Sequence, residues 1–235
     1  MKLDMLRVLL CGLFLMGIVA GTVQSEEAAD AGFVSMFNGE DLEGWDGRPG
    51  SWRVEDGAII GECGGDDDPC ATHYLFWTVA EPGDFIMRFE YKLSGEGSNS
   101  GVQIRSERRG DYDVWGYQAD FDESGQWNGC LFQHDRGGVV MRGYRALINE
   151  DGSREEYQFA DPDALLEGIR DEDWNSYEIV AVGPYIQLKI NDVLMTEVID
   201  RDEDMSREDG VIGLQLHMGP PMQVHFRDLK IKILD

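Results

Sequence analysis

Residues 84–94 read DFIMRFEYKLS, and their alternation decides the fold class. Phe85, Met87, Phe89 and Tyr91 fall on one face of an extended chain, with Arg88, Glu90 and Lys92 on the other, because successive side chains of a strand point to opposite sides. Similar strand signals recur on both sides of this stretch. Upstream, SWRVEDGAIIGE (51–62) reads as a hairpin turning at Asp56-Gly57. Downstream come SGVQIRS (100–106), VWGYQADF (114–121), GCLFQHD (129–135) and GVVMRG (138–143). The run SYEIVAVGPYIQLKINDVLMTEVID (176–200) holds two strands joined by a tight turn at Asn191-Asp192, and GVIGLQLHM (210–218) and MQVHFRDLKIKIL (222–234) close the series. The helical signal is confined to DPDALLEGI (161–169), with Pro162 near its start and Gly168 near its end. About a dozen strands with one short helix predict an all-β antiparallel sandwich or barrel. Strands this long favour two large curved sheets, one convex and one concave, with FVSMFN (33–38) pairing with the last strand.

The chain of 235 residues shows no internal repeat and no low-complexity linker, so one domain over residues 31–235 is the economical reading. A formal net charge of −26 argues against nucleic-acid and anionic-membrane partners, which would be repelled at long range. It is compatible with a neutral ligand. At the N-terminus, Lys2 and Arg7 precede an apolar run from Val8 to Ala20 and then small residues. That is the pattern of a secretory signal peptide over residues 1–25, with Val23 and Ser25 suiting the cleavage positions. It predicts a protein exported to the periplasm or medium, without stable membrane insertion after cleavage. In such a compartment Cys63 and Cys70, which bracket GGDDDP, are expected to close a local disulfide, leaving Cys130 buried. The three aspartates 66–68 lack the spacing of a calcium loop and read as a solvated turn.

The central strands carry an unusual polar face. Gln103 and Arg105 oppose Val102 and Ile104; Gln118 and Asp120 oppose Tyr117, Ala119 and Phe121; Gln215 and His217 oppose Leu214 and Leu216; His134 shares a face with Phe132. If these strands are neighbours, the faces merge into a floor of Gln, Arg, Asp and His. A plain solvated face in so acidic a protein should instead carry mainly Glu and Asp. Gly116 and Gly213 on that floor would let a ligand approach the backbone, and Trp115, Tyr117, Trp127 and Phe132 would offer stacking surfaces. A polar floor with aromatic walls suits a neutral, hydroxyl-rich carbohydrate. Gln103, Gln118, Gln215, Trp115, Tyr117 and Trp127 are thus the candidate substrate-binding residues. The chain has no G-x-S-x-G, no phosphate-binding Gly-rich loop, no H-E-x-x-H and no run of alternating glucanase carboxylates.

FVSMFNGEDLEGWDG, WRVEDGAIIGE, NSGVQIRS, GYQAD, WNSYEIVAVG and GLQLHMGPPMQVHFRDLKI, in this order within Phe33 to Leu234, resemble the 3-keto-disaccharide hydrolase domain family. The resemblance implies a concanavalin A-like jelly-roll sandwich and cleavage of glycosides oxidised to a ketone at C3. Such a ketone acidifies the C2 proton, so a base can remove it while the C1 oxygen leaves, and water then adds. The site needs a base near C2, an acid near the glycosidic oxygen, and a positive group or metal at the enolate oxygen. Asp120 or His134 is the expected base, His217 the acid and Arg105 the enolate stabiliser. A divalent ion held by Asp120 and His134 or His217 is the alternative to Arg105, with no other cofactor implied. In one place the chain departs from the pattern. Gln133 and His134 stand where many relatives carry an acidic pair. The leading expectation is an exported enzyme cleaving 3-keto-glycosides or related carbohydrates; the alternative is a non-catalytic carbohydrate-binding module, since fold does not fix function.

Overall fold

The alternation is realised as two facing β-sheets. The computed structural model describes residues 31–64 and 70–234. The expected signal peptide, residues 1–25, and the aspartates 66–68 lie outside the described residues. Strands are numbered in chain order. The larger sheet runs β12 (Arg154–Gln158), β11 (Tyr144–Ile148), β15 (Val193–Asp200), β14 (Tyr185–Ile190), β13 (Asn175–Val182), β6 (Phe85–Ser94), β17 (Met222–Ile233), β4 (Ala58–Cys63), β3 (Trp52–Glu55), with β1 (Val34–Ser35) beside the end of β17. The smaller sheet runs β10 (Gly137–Val140), β9 (Leu131–Gln133), β8 (Asp113–Asp122), β7 (Asn99–Arg109), β16 (Val211–Leu216), β5 (His73–Trp77), β2 (Trp45–Asp46). The first and last strands pair as expected, Val34 opposite Ile231.

Each expected tight turn has the backbone its residues favour. Asp56 and Gly57 take φ of 50° and 74°, and Asn191 and Asp192 take 50° and 64°, the left-handed pair that matches the twist of a two-residue hairpin. In β6 the apolar set Phe85, Met87, Phe89 and Tyr91 is buried while Ile86, Arg88, Glu90 and Lys92 are half-buried. Tyr91 stacks across the sandwich on Phe121 of β8 at 3.9 Å between ring centroids, and Phe89 stacks on Tyr177 of β13 at 5.2 Å. Full burial of each such side chain is worth about 1.5–3 kcal/mol, so this aromatic cluster ties the two sheets together. Cys63 and Cys70 form a disulfide, and Cys130 is buried.

Two details differ from expectation. The sheets are antiparallel except where β11 lies parallel to β15, Arg145 opposite Glu197. The chain reaches β11 by crossing over from β10 at the edge of the other sheet, so no hairpin dictates its direction. The short helix is a single 3-10 segment, Ala164–Gly168, with none of its residues buried. Its five residues are too few for stable α-helical propagation.

Candidate functional site

Strand register brings the polar residues of three strands onto the outer face of the smaller sheet. Gln103 of β7 faces Gln118 of β8, which faces Phe132 of β9, and Gly213 of β16 faces Gln103 from the other side. Their intervening neighbours Val102, Ala119 and Leu214 are fully buried in the core. The outer-face side chains form a hydrogen-bonded chain. Ser106 Oγ donates to Gln103 Oε1 (2.8 Å), and Gln103 Nε2 donates to Gln118 Oε1 (2.6 Å). Gln118 Nε2 donates to Asp120 Oδ1 and to Gln215 Oε1 (3.1 Å), and Gln215 Nε2 donates to the Tyr74 hydroxyl (3.1 Å). Such chains polarise one another and hold their members in fixed orientations.

The network lies deep in the floor, with only a small part of it open to solvent. Gln103 is fully buried, and Gln118, Asp120 and Gln215 are each only 4% exposed. Burial therefore drives the Asp120 carboxyl well above the usual carboxylate range; the Gln118 N–H opposes this, and the charge of Asp122 adds to it. Burial likewise pushes Tyr74 up to about 12. A second cluster packs Tyr74 and Phe76 with Val114 and Val211, and Tyr112 leans on it. The two floor glycines serve this packing. A Cβ on Gly116 would fall 2.1 Å from Ser106 Oγ, and one on Gly213 would fall 3.2 Å from the Phe76 ring. The expectation that these positions admit a ligand to the backbone is corrected: Ser106 and Phe76 fill them.

Two further expectations are corrected. Arg105 is not on the floor. The register of β7 against β8 slips between Ile104 and Glu107, and Arg105 takes φ of 45°. That bulge turns its side chain inward, where it donates to Gly83 O (2.8 Å), Gly183 O (2.6 Å) and Asp84 Oδ1 (2.9 Å) and is 1% exposed. Ser106 joins the floor network instead. Tyr117 faces the core, 1% exposed, its hydroxyl donating to Asp200 Oδ2 at 2.6 Å, so it offers a ligand no surface. Asp200 also pairs with Arg136.

The remaining expected residues lie around the network. Trp127, Phe132 and His134 are half-buried. They make an edge-to-face ladder, with centroid spacings of 5.9 Å and 5.7 Å. Trp115 donates to Asp135 Oδ2 (2.8 Å) and carries the guanidiniums of Arg109 and Arg207 over its ring, so a sugar would have to displace an arginine to stack there. His134 approaches Gly116 O at 3.5 Å. That places it four residues along β8 from Asp120, about 13 Å at the usual strand rise. His217 lies one residue past β16, half-buried, with Nδ1 2.5 Å from Met218 O. The two histidines and Asp120 therefore do not meet at one point. Among the described residues no group of three or more His, Cys, Asp or Glu side chains is arranged to hold a metal ion, so the residues present do not fit the metal alternative. Sequence reasoning missed Tyr74 and Ser106. Tyr74 sits in HYLFW, a run apolar enough to hide its alternation, and the bulge that turns Ser106 outward leaves no mark in the pattern.

Comparison with known proteins fits this architecture. Residues 32–232 match the family described as the 3-keto-alpha-glucoside-1,2-lyase-like domain. A Parabacteroides distasonis protein provisionally designated a glycosyl hydrolase superposes with a TM-score of 0.58 at 19% identity, over 89% of this chain and 97% of its own. A carbohydrate-binding module from Bacillus subtilis gives 0.54 at 16% identity, over 80% and 95%. A Bacillus subtilis protein with a galectin-like fold gives 0.50 at 10% identity, over 82% and 90%. At these identities the likenesses show the fold, a concanavalin A-like jelly-roll sandwich. No curated protein matches the chain.

Proposed function

The chain belongs to the 3-keto-alpha-glucoside-1,2-lyase-like family, a carbohydrate-acting group, and from that premise we propose that it cleaves 3-keto-glycosides with Asp120 as the proton-transfer group. One observation carries the reading. Asp120 is the single carboxyl in a buried chain of neutral amides and hydroxyls, and its proton affinity is raised by that setting. A carboxyl that ionises nearer neutrality suits removal of a carbon acid's proton followed by its return. In the ionised form Asp120 takes the C2 proton of the sugar. The C2–H electron pair becomes the C1=C2 bond as the C1–O glycosidic bond breaks. The same carboxyl then protonates the departing oxygen, and water adds across C1=C2. Because Arg105 is spent on Gly83, Gly183 and Asp84, the oxygen at C3 would be met by a side-chain amide N–H such as the second one of Gln215, whose first goes to Tyr74. Trp127 and Phe132 would flank the sugar ring. The Cys63–Cys70 disulfide supports an exported protein acting in an oxidising compartment.

A second reading, a non-catalytic glycan-binding module, is favoured by one feature. Gln133, standing where many relatives carry an acidic residue, points inward, donating to Met205 O (2.7 Å) and accepting from Arg136 Nε. It brings no second acid to the floor. Turnover separates the two readings. Incubation with a panel of 3-keto-disaccharides and their unoxidised parents should release sugar from the keto compounds; binding of glycans without release would establish the module instead.

A further inference from the structure

At the end of the sandwich where β6 and β8 finish, the segment 169–175 closes one side of a cleft of about 340 Å³, at the lower end of the range of small-molecule sites. Its wall is set before any ligand arrives. Asn175 Oδ1 accepts from Arg170 N (2.9 Å), and its Nδ2 donates to Arg170 O (2.8 Å) and Asp173 O (3.1 Å). Tyr91 lines this cleft from the core side. Its side chain is buried, 3% exposed, and its hydroxyl has no hydrogen-bond partner among the described residues. Leaving a buried hydroxyl without a partner is destabilising, so the fold leaves here a polar atom that something entering the cleft can satisfy.

The lining selects what that is. Glu96, Asp122, Glu123, Asp171 and Glu172 face one basic residue, Arg170, whose Nη1 already donates to Trp174 O at 2.8 Å. In a chain of formal charge −26, carboxylate or phosphate ligands are repelled. The apolar part of the lining, Leu93, Ile169 and the Tyr91 ring, matches one face of a small ring. We propose that this cleft binds a hydroxylated primary ammonium of the size of one amino-sugar ring, its ammonium among the carboxylates and a hydroxyl oxygen accepting from Tyr91 Oη. The site is independent of the proton transfer assigned to Asp120 and stands or falls separately.

Calorimetry on the full chain at low salt, with glucosamine, glucose and glucuronate as probes, tests it. Glucosamine should bind at least about tenfold more tightly than glucose, glucuronate should give no heat, and added salt should weaken the binding. Tyr91→Phe should lower glucosamine affinity about fivefold, the worth of one hydrogen bond. It should also melt at or above the wild type without ligand, because it deletes an unpaired group. Glu172→Gln, at an exposed position, should weaken glucosamine binding without affecting the fold and carries the test if Tyr91→Phe misfolds. Asp120→Asn should leave glucosamine binding unchanged. Equal affinity for glucose and glucosamine, absence of binding, or binding unchanged in both cleft variants would overturn the proposal.

Discussion

Asp120→Asn separates a catalytic carboxyl from a structural one, because activity and stability should move independently. Asparagine has nearly the same size and keeps an oxygen for the Gln118 Nε2 donor, so the network survives while ionisation is lost. On a 3-keto-disaccharide that the wild type cleaves, kcat/KM should fall about 10²–10⁴-fold, the usual worth of a general base. Burial holds the folded-state pKa of Asp120 above its unfolded value, which lies near about 3.9. Below that value the carboxyl is neutral in both states and carries no penalty. As pH rises, the unfolded chain ionises first and the wild-type fold loses stability relative to the variant, until the folded carboxyl also ionises. Asp120→Asn should therefore melt at or above the wild type at pH 7, with the difference closing toward about pH 4; each kcal/mol appears as about 2–4 °C in Tm for a chain of this length. Calorimetric melts at both pH values and a pH profile of kcat/KM are the measurements. The acid limb should lie above the ordinary carboxylate range, since the ionised form is the active one. Unchanged kcat/KM would remove Asp120 from the mechanism. A Tm several degrees lower at pH 7 would show that the fold holds an ionised Asp120, against the burial argument.

Trp127→Ala, which removes the outer ring of the Trp127–Phe132–His134 ladder, should raise KM or Kd for a glycan about 5–20-fold with little change in kcat; a pure loss of kcat would refute a stacking role. Arg105→Ala should cost roughly 2–4 kcal/mol through its lost inward hydrogen bonds, read as a Tm drop of about 5–15 °C, while kcat/KM of the folded protein at low temperature stays within about threefold. A large selective loss of activity there would return Arg105 to the site. Replacing Cys63 and Cys70 together by serine should cost about 2–3 kcal/mol, the chain-entropy value for closing so short a loop; melts with and without reductant on the wild type should differ by a similar amount.

Most of the sandwich was legible because its determinants are local. The period of DFIMRFEYKLS survives in the burial of β6, and Asp56-Gly57 and Asn191-Asp192 are turns by residue type alone. What stayed hidden depends on topology. Residues 144–158 form the β11–β12 hairpin, whose β12 is exposed at every position, so no buried face imprints the sequence. The parallel β11–β15 pairing follows from a crossover between sheets, which no local pattern encodes.

The site was legible in composition and illegible in direction, and one residue shows why. Reading Gln103 and Arg105 onto a common face assumes an unbroken period of two, but a single extra residue in β7 reverses every side chain beyond it. Nothing in GVQIRS marks the slip. Its signature lies across the sheet, where Gly116 leaves the space that Ser106 occupies. Moving the guanidinium inward changes the chemistry that the floor can perform. With Arg105 in place, an enolate would be balanced by a full positive charge; without it, the floor presents neutral donors and one carboxyl whose ionisation burial opposes. A neutral floor stabilises a developing enolate less, so the burden shifts to the base, and a carboxyl of raised proton affinity is the stronger base once ionised. On the proposed function, the bulge at Arg105 and the burial of Asp120 are parts of one arrangement: the cation ties the sheets together, and proton transfer would fall to a desolvated carboxyl.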